Sequence, residues 1–261
     1  SGYHTYGLTA GIDYRIAPGL TFGAALTYAD DVRTVQGTRH DGNAVTPAVY
    51  GRFSSGAFFV DGYLGYAFGQ TDTRRLVAYG DQFLSVRASP RWGQAMAGAL
   101  AGVRLDASSL VAGLAPGRLA LTPFVGLDVA QARFDGYAEQ GAGALSSVIA
   151  SRSLAEARAS AGIEAAWTVP VSFGVLTPRL KASVTQRFGD RSDETTASFA
   201  LAPDLPFRLS GASEARTYGS FGVALGVQSG EALSALVSYQ ADVNRDGLQD
   251  NRFSAKVRYR F

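Results

Sequence analysis

The nine residues Phe253-Ser-Ala-Lys-Val-Arg-Tyr-Arg-Phe261 alternate without a break. Phe253, Ala255, Val257, Tyr259 and Phe261 fall on one side, and Ser254, Lys256, Arg258 and Arg260 on the other. A β-strand turns successive side chains to opposite faces, so this segment has one apolar face and one that carries three cations. A soluble sandwich buries its apolar face inward and puts a charge-rich face in water over short strands. A wall between hydrocarbon and a wet interior requires the contrast seen here.

The pattern recurs along the chain. Leu8, Ala10, Ile12 and Tyr14 alternate with Thr9, Gly11, Asp13 and Arg15; Leu20, Phe22, Ala24, Leu26 and Tyr28 follow, against Thr21, Gly23, Ala25 and Thr27. Similar segments contain Val49 and Phe53, Val60 and Leu64, Ala97 and Val103, Leu121 to Val129, and Leu233 to Tyr239. Others centre on Ile163, Val184 and Leu225. In the clean segments every charge sits on the second face. Membrane-crossing strands need about 9–11 residues, and these segments have that length. The expected fold is all-β: a transmembrane antiparallel β-barrel occupying residues 1–261 as one domain.

Hydrophobic content is 46% and mean hydropathy +0.03, values that alternation reconciles with a membrane protein. No stretch approaches the roughly 18 apolar residues of a spanning helix. A net charge of +2 gives no reason to invoke nucleic acid. The single methionine is Met96, and Ser1-Gly2-Tyr3 resembles neither a translation start nor a signal peptide. A processed or cut piece of a longer precursor is therefore expected.

Connections alternate short and long. Short ones fall at Ile16–Gly19, Ser54–Gly56, Pro170–Gly174 and Gln228–Glu231, with Asp106–Arg118 a longer member. Long ones fall at Asp30–Gly42, Thr71–Pro90, Arg133–Leu154, Gly189–Ala215 and Asp242–Asp250. Barrels of the outer membrane have short periplasmic turns and long extracellular loops. The long strands come to about eleven, whereas bacterial barrels have an even number. About twelve strands are expected, the first missing from this chain, with Thr195–Ala200 and Phe207–Gly211 as an extracellular hairpin. A closed barrel has no free edge that demands a partner, so a monomer is expected. The Asp/Asn spacing of Asp242–Asn251 resembles a calcium loop but has Phe253 where the twelfth, acidic ligand belongs; no metal or other cofactor is expected.

Facing direction assigns a charged lumenal lining: Asp13, Arg15, Arg52, Asp61, Arg104, Asp128, Glu156, Arg158, Glu164, Arg179, Lys181, Lys256, Arg258 and Arg260. Such charges either hold the wall rigid as a paired network or offer a polar surface to a chain in transit. Lumenal glycines, among them Gly23, Gly98, Gly102 and Gly126, either widen the bore or ease strand bending. Aromatics gather at segment ends, as Tyr14, Phe53, Phe58 and Trp167 at one rim and Tyr28, Phe68, Phe188 and Phe253 at the other, the placement of interfacial girdles. Catalysis finds little support. His4 and His40 are the only histidines, and no Gly-x-Ser-x-Gly elbow occurs.

An ordered series of motifs resembles the carboxy-terminal β-domain of type V secretion autotransporters over essentially the whole chain. It comprises Gly7-Leu-Thr-Ala-Gly-Ile-Asp-Tyr14, Gly23-Ala-Ala-Leu-Thr-Tyr28, Val49-Tyr-Gly-Arg52, Val60-Asp-Gly-Tyr63 and Leu121-Thr-Pro123. Gly136-Tyr-Ala-Glu-Gln-Gly-Ala-Gly-Ala-Leu145, Arg152-Ser-Leu154, Gly162 and Val257-Arg-Tyr-Arg-Phe261 complete it. The resemblance implies a twelve-stranded translocator in the outer membrane of a Gram-negative bacterium. It would anchor and help export an amino-terminal passenger, with a linker helix threading the lumen. It also implies that the barrel-assembly machinery reads Val257, Tyr259 and Phe261. In some relatives lumenal acids promote linker cleavage, for which Asp61, Asp128 and Glu164 are candidates by facing direction. The alternative is an outer-membrane diffusion pore for small solutes.

Overall fold

The computed structural model describes residues 3–35, 38–79, 82–110, 117–189, 194–200, 202–210, 216–230, 233–244 and 247–259. The first strands are β1 (Tyr3–Ala17), β2 (Leu20–Val35), β3 (Thr38–Ser55), β4 (Phe58–Tyr79), β5 (Gln82–Ala88) and β6 (Arg91–Val103). Next come β7 (Leu105–Asp106), β8 (Arg118–Phe134), β9 (Tyr137–Ala138), β10 (Ser147–Ile149) and β11 (Arg152–Val171). The last are β12 (Gly174–Gly189), β13 (Glu194–Phe199), β14 (Ala202–Ser210), β15 (Thr217–Ser229), β16 (Leu233–Asn244) and β17 (Gly247–Tyr259).

Eleven long strands form one antiparallel wall in the order β1-β2-β3-β4-β6-β8-β11-β12-β15-β16-β17. Neighbours in the wall are neighbours in sequence once the short strands are set aside, so tight turns can join them. At the first turn Pro18 is followed by Gly19 with φ +77. Proline presets the first central position and glycine supplies the left-handed second one. Among the described residues no ladder joins β1 to β17. The two edges approach on the concave side, where Arg258 Nε lies 3.8 Å from Asp13 Oδ1.

The alternation becomes two environments. On the convex face Leu64 is 62% exposed and Val125 59%, whereas Phe124 on the concave face is 7% exposed. Leu26, Leu127 and Val237 are exposed and Val60 half-buried, while their neighbours Thr27, Asp61, Asp128 and Ser238 are half-buried on the other side. Apolar side chains facing outward over the whole wall suit a hydrocarbon solvent.

The long connections differ from the loops expected of them. Asp30–Gly42 is not a loop: the β2–β3 ladder continues to Val35↔Thr38. Within Thr71–Pro90, β4 runs on to pair with β5 as far as Tyr79↔Gln82, and β16–β17 pairing continues to Asn244↔Gly247. The expected hairpin after β12 is β13–β14; residues 190–193 and 211–215 of that connection lie outside the described residues, as do Arg260 and Phe261.

A second sheet, in the order β14-β13-β10-β9, caps this end of the wall. Arg87 of β5 and Gln140 exchange both backbone hydrogen bonds at 2.9 Å, which ties the sheet to the β4–β5 hairpin. Several side chains well shielded from solvent lie here and in β5: Val86 is 1% exposed, Ala197 2% and Ile149 6%. Arg75 donates from Nε and Nη2 to Glu139 Oε1 and Oε2 at 2.8 and 2.5 Å. The Ser147 backbone N–H donates to Glu139 Oε2 at 3.0 Å. Burial pushes the Glu139 carboxyl up, but the Arg75 and Ser147 hydrogen bonds outweigh it and hold the group below its ordinary range.

Candidate functional site: the charged concave face

Register brings the concave charges together across strands. Arg52 and Asp61 are directly opposed on β3 and β4, and the guanidinium grips the carboxylate through two hydrogen bonds of 2.5 Å. Arg179 Nη1 donates to Glu164 Oε1 at 3.0 Å. Glu156 accepts from Arg158 and lies 3.3 Å from Arg187 Nε. Tyr63 O–H donates to Asp128 Oδ1 at 2.7 Å, and Asp242 accepts from Ser220 at 2.6 Å and Gln240 at 3.1 Å. With the Asp13–Arg258 pair, each of these six carboxylates has a hydrogen-bond donor or an ion-pair partner.

Several cations remain. Arg104 stands 5.8 Å from the Phe59 ring, which Arg52 also approaches at 5.4 Å. Lys181 Nζ lies 4.6 Å from the Phe124 ring. Both rings are nearly buried, and an aromatic face attracts a cation without neutralising it. The Arg15 and Lys256 side chains have no ion-pair or hydrogen-bond partner among the described residues. Arg15, Arg104, Lys181 and Lys256 thus give this face its positive surplus. Asp61, Asp128 and Glu164, the acids considered for linker cleavage, are held by Arg52, Tyr63 and Arg179 respectively.

The concave glycines do something the sequence reading did not foresee. A Cβ at Gly102 would stand 2.7 Å from the Phe59 ring, one at Gly162 2.6 Å from Phe124 Cζ, and one at Gly98 2.8 Å from Tyr63 Cζ. Each glycine is a pit that receives a ring from an adjacent strand. The available signal was an aromatic residue on the polar face beside a strand with glycine at the facing height. His4 lies in β1 and His40 in β3, on separate strands with no shared constellation. Among the described residues no group of three or more His, Cys, Asp or Glu side chains could hold a metal ion.

Residues 1–240 match the family model described as Autotransporter beta-domain. The chain belongs to that family. It is an outer-membrane translocator of the Gram-negative type, linked to the export of an amino-terminal passenger, and this assignment disfavours the diffusion-pore alternative. The translocator domain of autotransporter NalP from Neisseria meningitidis is 18% identical, with a TM-score of 0.77 over 99% of this chain and 82% of that one. The β-domain of the Bordetella autotransporter Brka is 19% identical, with a TM-score of 0.68 over 99% and 92%. The transport unit of AIDA-I from Escherichia coli is 15% identical, with a TM-score of 0.64 over 99% and 83%. At these identities the structures establish the shared fold. Comparison with curated protein sequences returns no significant match.

Proposed function

We propose that the translocator divides its concave charges between two tasks. The paired set, Arg52–Asp61, Arg179–Glu164, Glu156–Arg158 and Asp13–Arg258, keeps a wide wet wall from collapsing. The set without carboxylate partners, Arg15, Arg104, Lys181 and Lys256, is the surface that the linker and passenger slide against during export. The observation that carries this reading is the uneven pairing: the six carboxylates named above all have a donor or an ion-pair partner, and these four cations have no carboxylate partner among the described residues. A hydrated, unpaired charge breaks no bond when a polypeptide slides past, whereas a paired one would have to exchange partners. Lipid meets the convex face. Val257 and Tyr259, together with Phe261, present the terminal strand to the barrel-assembly machinery. No catalytic step is assigned to the chain.

The test uses the full-length autotransporter in cells and measures passenger accessible to external protease per inserted barrel. Replacing Arg15, Arg104, Lys181 and Lys256 by glutamine should slow surface exposure severalfold at an unchanged barrel level. Arg52→Gln with Asp61→Asn should instead lower the heat resistance of the barrel. Deleting Phe261 should reduce inserted barrels and leave export per barrel intact. Native export by the four-glutamine variant would overturn the division of labour.

A further inference from the structure

The convex face carries a basic site at one rim only. On β6 the convex positions run through Ala99, Ala97, Ala95 and Gly93 to Arg91, and on β8 through Leu127, Val129 and Gln131 to Arg133. Gly93 is directly opposed to Phe68 on one side and Arg133 on the other, while Arg91 opposes Gln70. Arg91 and Arg133 are therefore diagonal neighbours, about 7–8 Å apart at their Cα atoms. Both are exposed, and neither guanidinium has an ion-pair or hydrogen-bond partner among the described residues. Asp135 donates its backbone N–H to the Arg91 carbonyl at 3.0 Å but forms no ion pair with either guanidinium.

Gly93 shapes the space between them. A Cβ there would overlap the Tyr66 hydroxyl and stand 3.1 Å from Tyr66 Cζ. The phenol therefore lies across the glycine, with its hydroxyl in a pit flanked by Arg91 and Arg133. The pit opens just beyond the apolar belt of Leu64, Ala97 and Val129, level with the aromatic rim of Tyr66 and Phe68, where headgroups begin. At the opposite rim the convex positions are Leu20, Phe53, Phe58, Leu119, Trp167, Leu233 and Tyr259, and no lysine or arginine shares that face among the described residues.

We propose that Arg91, Arg133 and the Tyr66 hydroxyl form a binding site for the phosphate groups of the phosphorylated glycolipid of the outer leaflet. Two guanidinium forks and a hydroxyl suit a phosphomonoester, which arginine binds in bidentate fashion. A basic pocket at headgroup depth is a common way for membrane proteins to hold anionic lipids. The asymmetry between the rims selects the occupant. Phospholipid is available to both leaflets, but the phosphorylated glycolipid is found only on the side where these arginines stand.

The test measures lipid retained by the whole 261-residue chain in detergent, using native mass spectrometry. The probes are bis-phosphorylated lipid A, its dephosphorylated form and phosphatidylglycerol. The native chain should retain lipid A at least tenfold better than an R91Q/R133Q variant, and Gly93→Ala, which displaces the hydroxyl, should also weaken retention. Dephosphorylated lipid A should bind the native chain and the variant alike. If the glutamine pair fails to insert, R91K/R133K decides, because it keeps charge and loses the fork: a loss of threefold or more supports the site and unchanged retention overturns it. Equal retention of phosphatidylglycerol, or displacement of lipid A by millimolar inorganic phosphate, would also overturn the glycolipid assignment.

Discussion

The wall and the cap are both antiparallel β-structure, yet they place their apolar side chains in opposite directions. In the wall the large apolar residues are the exposed ones: Leu64 and Val125 face outward, and the inner surface holds ion pairs and ring-filled glycine pits. In the cap and in β5, the strand tied to it, Ala197, Ile149 and Val86 are tucked inside, as in a water-soluble protein. The same two-residue period thus serves two solvents. Its direction, not its presence, records which solvent each face meets.

The largest expected effect tests that direction. Arginine in place of Leu26 or Leu127 should cost about 2–4 kcal/mol near the bilayer midplane, while arginine at Thr27 or Ser238 should cost little. Refolding titrations into lipid vesicles measure the difference, and equal costs on the two faces would erase the distinction between wall and cap. A smaller effect is expected at Val86→Ala in β5, which removes two buried methyl groups and should destabilise the cap and the hairpin it is tied to by about 2 kcal/mol. Limited proteolysis should find the cap loosened and the barrel's heat resistance unchanged; loss of both together would show that wall and cap melt as one unit.

The smallest effect concerns pH. Because Glu139 has a lowered pKa in the folded state, its contribution is present above the unfolded carboxyl value, near 4.3. That contribution is lost as the pH falls through the folded value. Hydrogen exchange in β5, β10 and β13 should accelerate under acid relative to the wall, and Glu139→Gln should abolish the acid-dependent part. Acceleration of the wall strands by the same factor would place the pH response outside the Arg75–Glu139 contact.

What the sequence disclosed follows the same division. The eleven wall strands were legible because lipid on one side and water on the other imposes strict alternation, as Leu119 to Val129 displays. The strand extensions were not legible. Past Asp30 and Asp31 on β2, and Asp41 on β3, both faces are wet, so the period vanishes although the backbone ladder continues to Val35↔Thr38. The β9 and β10 strands have two and three residues, too few for any period to register. At the site, alternation gave the facing of Arg52 and Asp61 but not their partnership, which depends on interstrand register. The pits at Gly98 and Gly102 were hidden for the same reason, since a glycine's use is decided by the ring on the next strand. The convex arginines Arg91 and Arg133 lie where alternation still holds but the apolar belt has ended.

The length of β4 has a consequence for delivery. Its 22 residues span about 73 Å at the usual rise, or roughly 55 Å of height once tilted. The apolar band of such a barrel is only about 25 Å tall. With its hairpin partner, the strand therefore rises as a parapet on the cell exterior. A polypeptide emerging beside it would keep protein on one flank for part of its path beyond the bilayer. The height of that flank is set by a strand, and a shorter β4 would lower it.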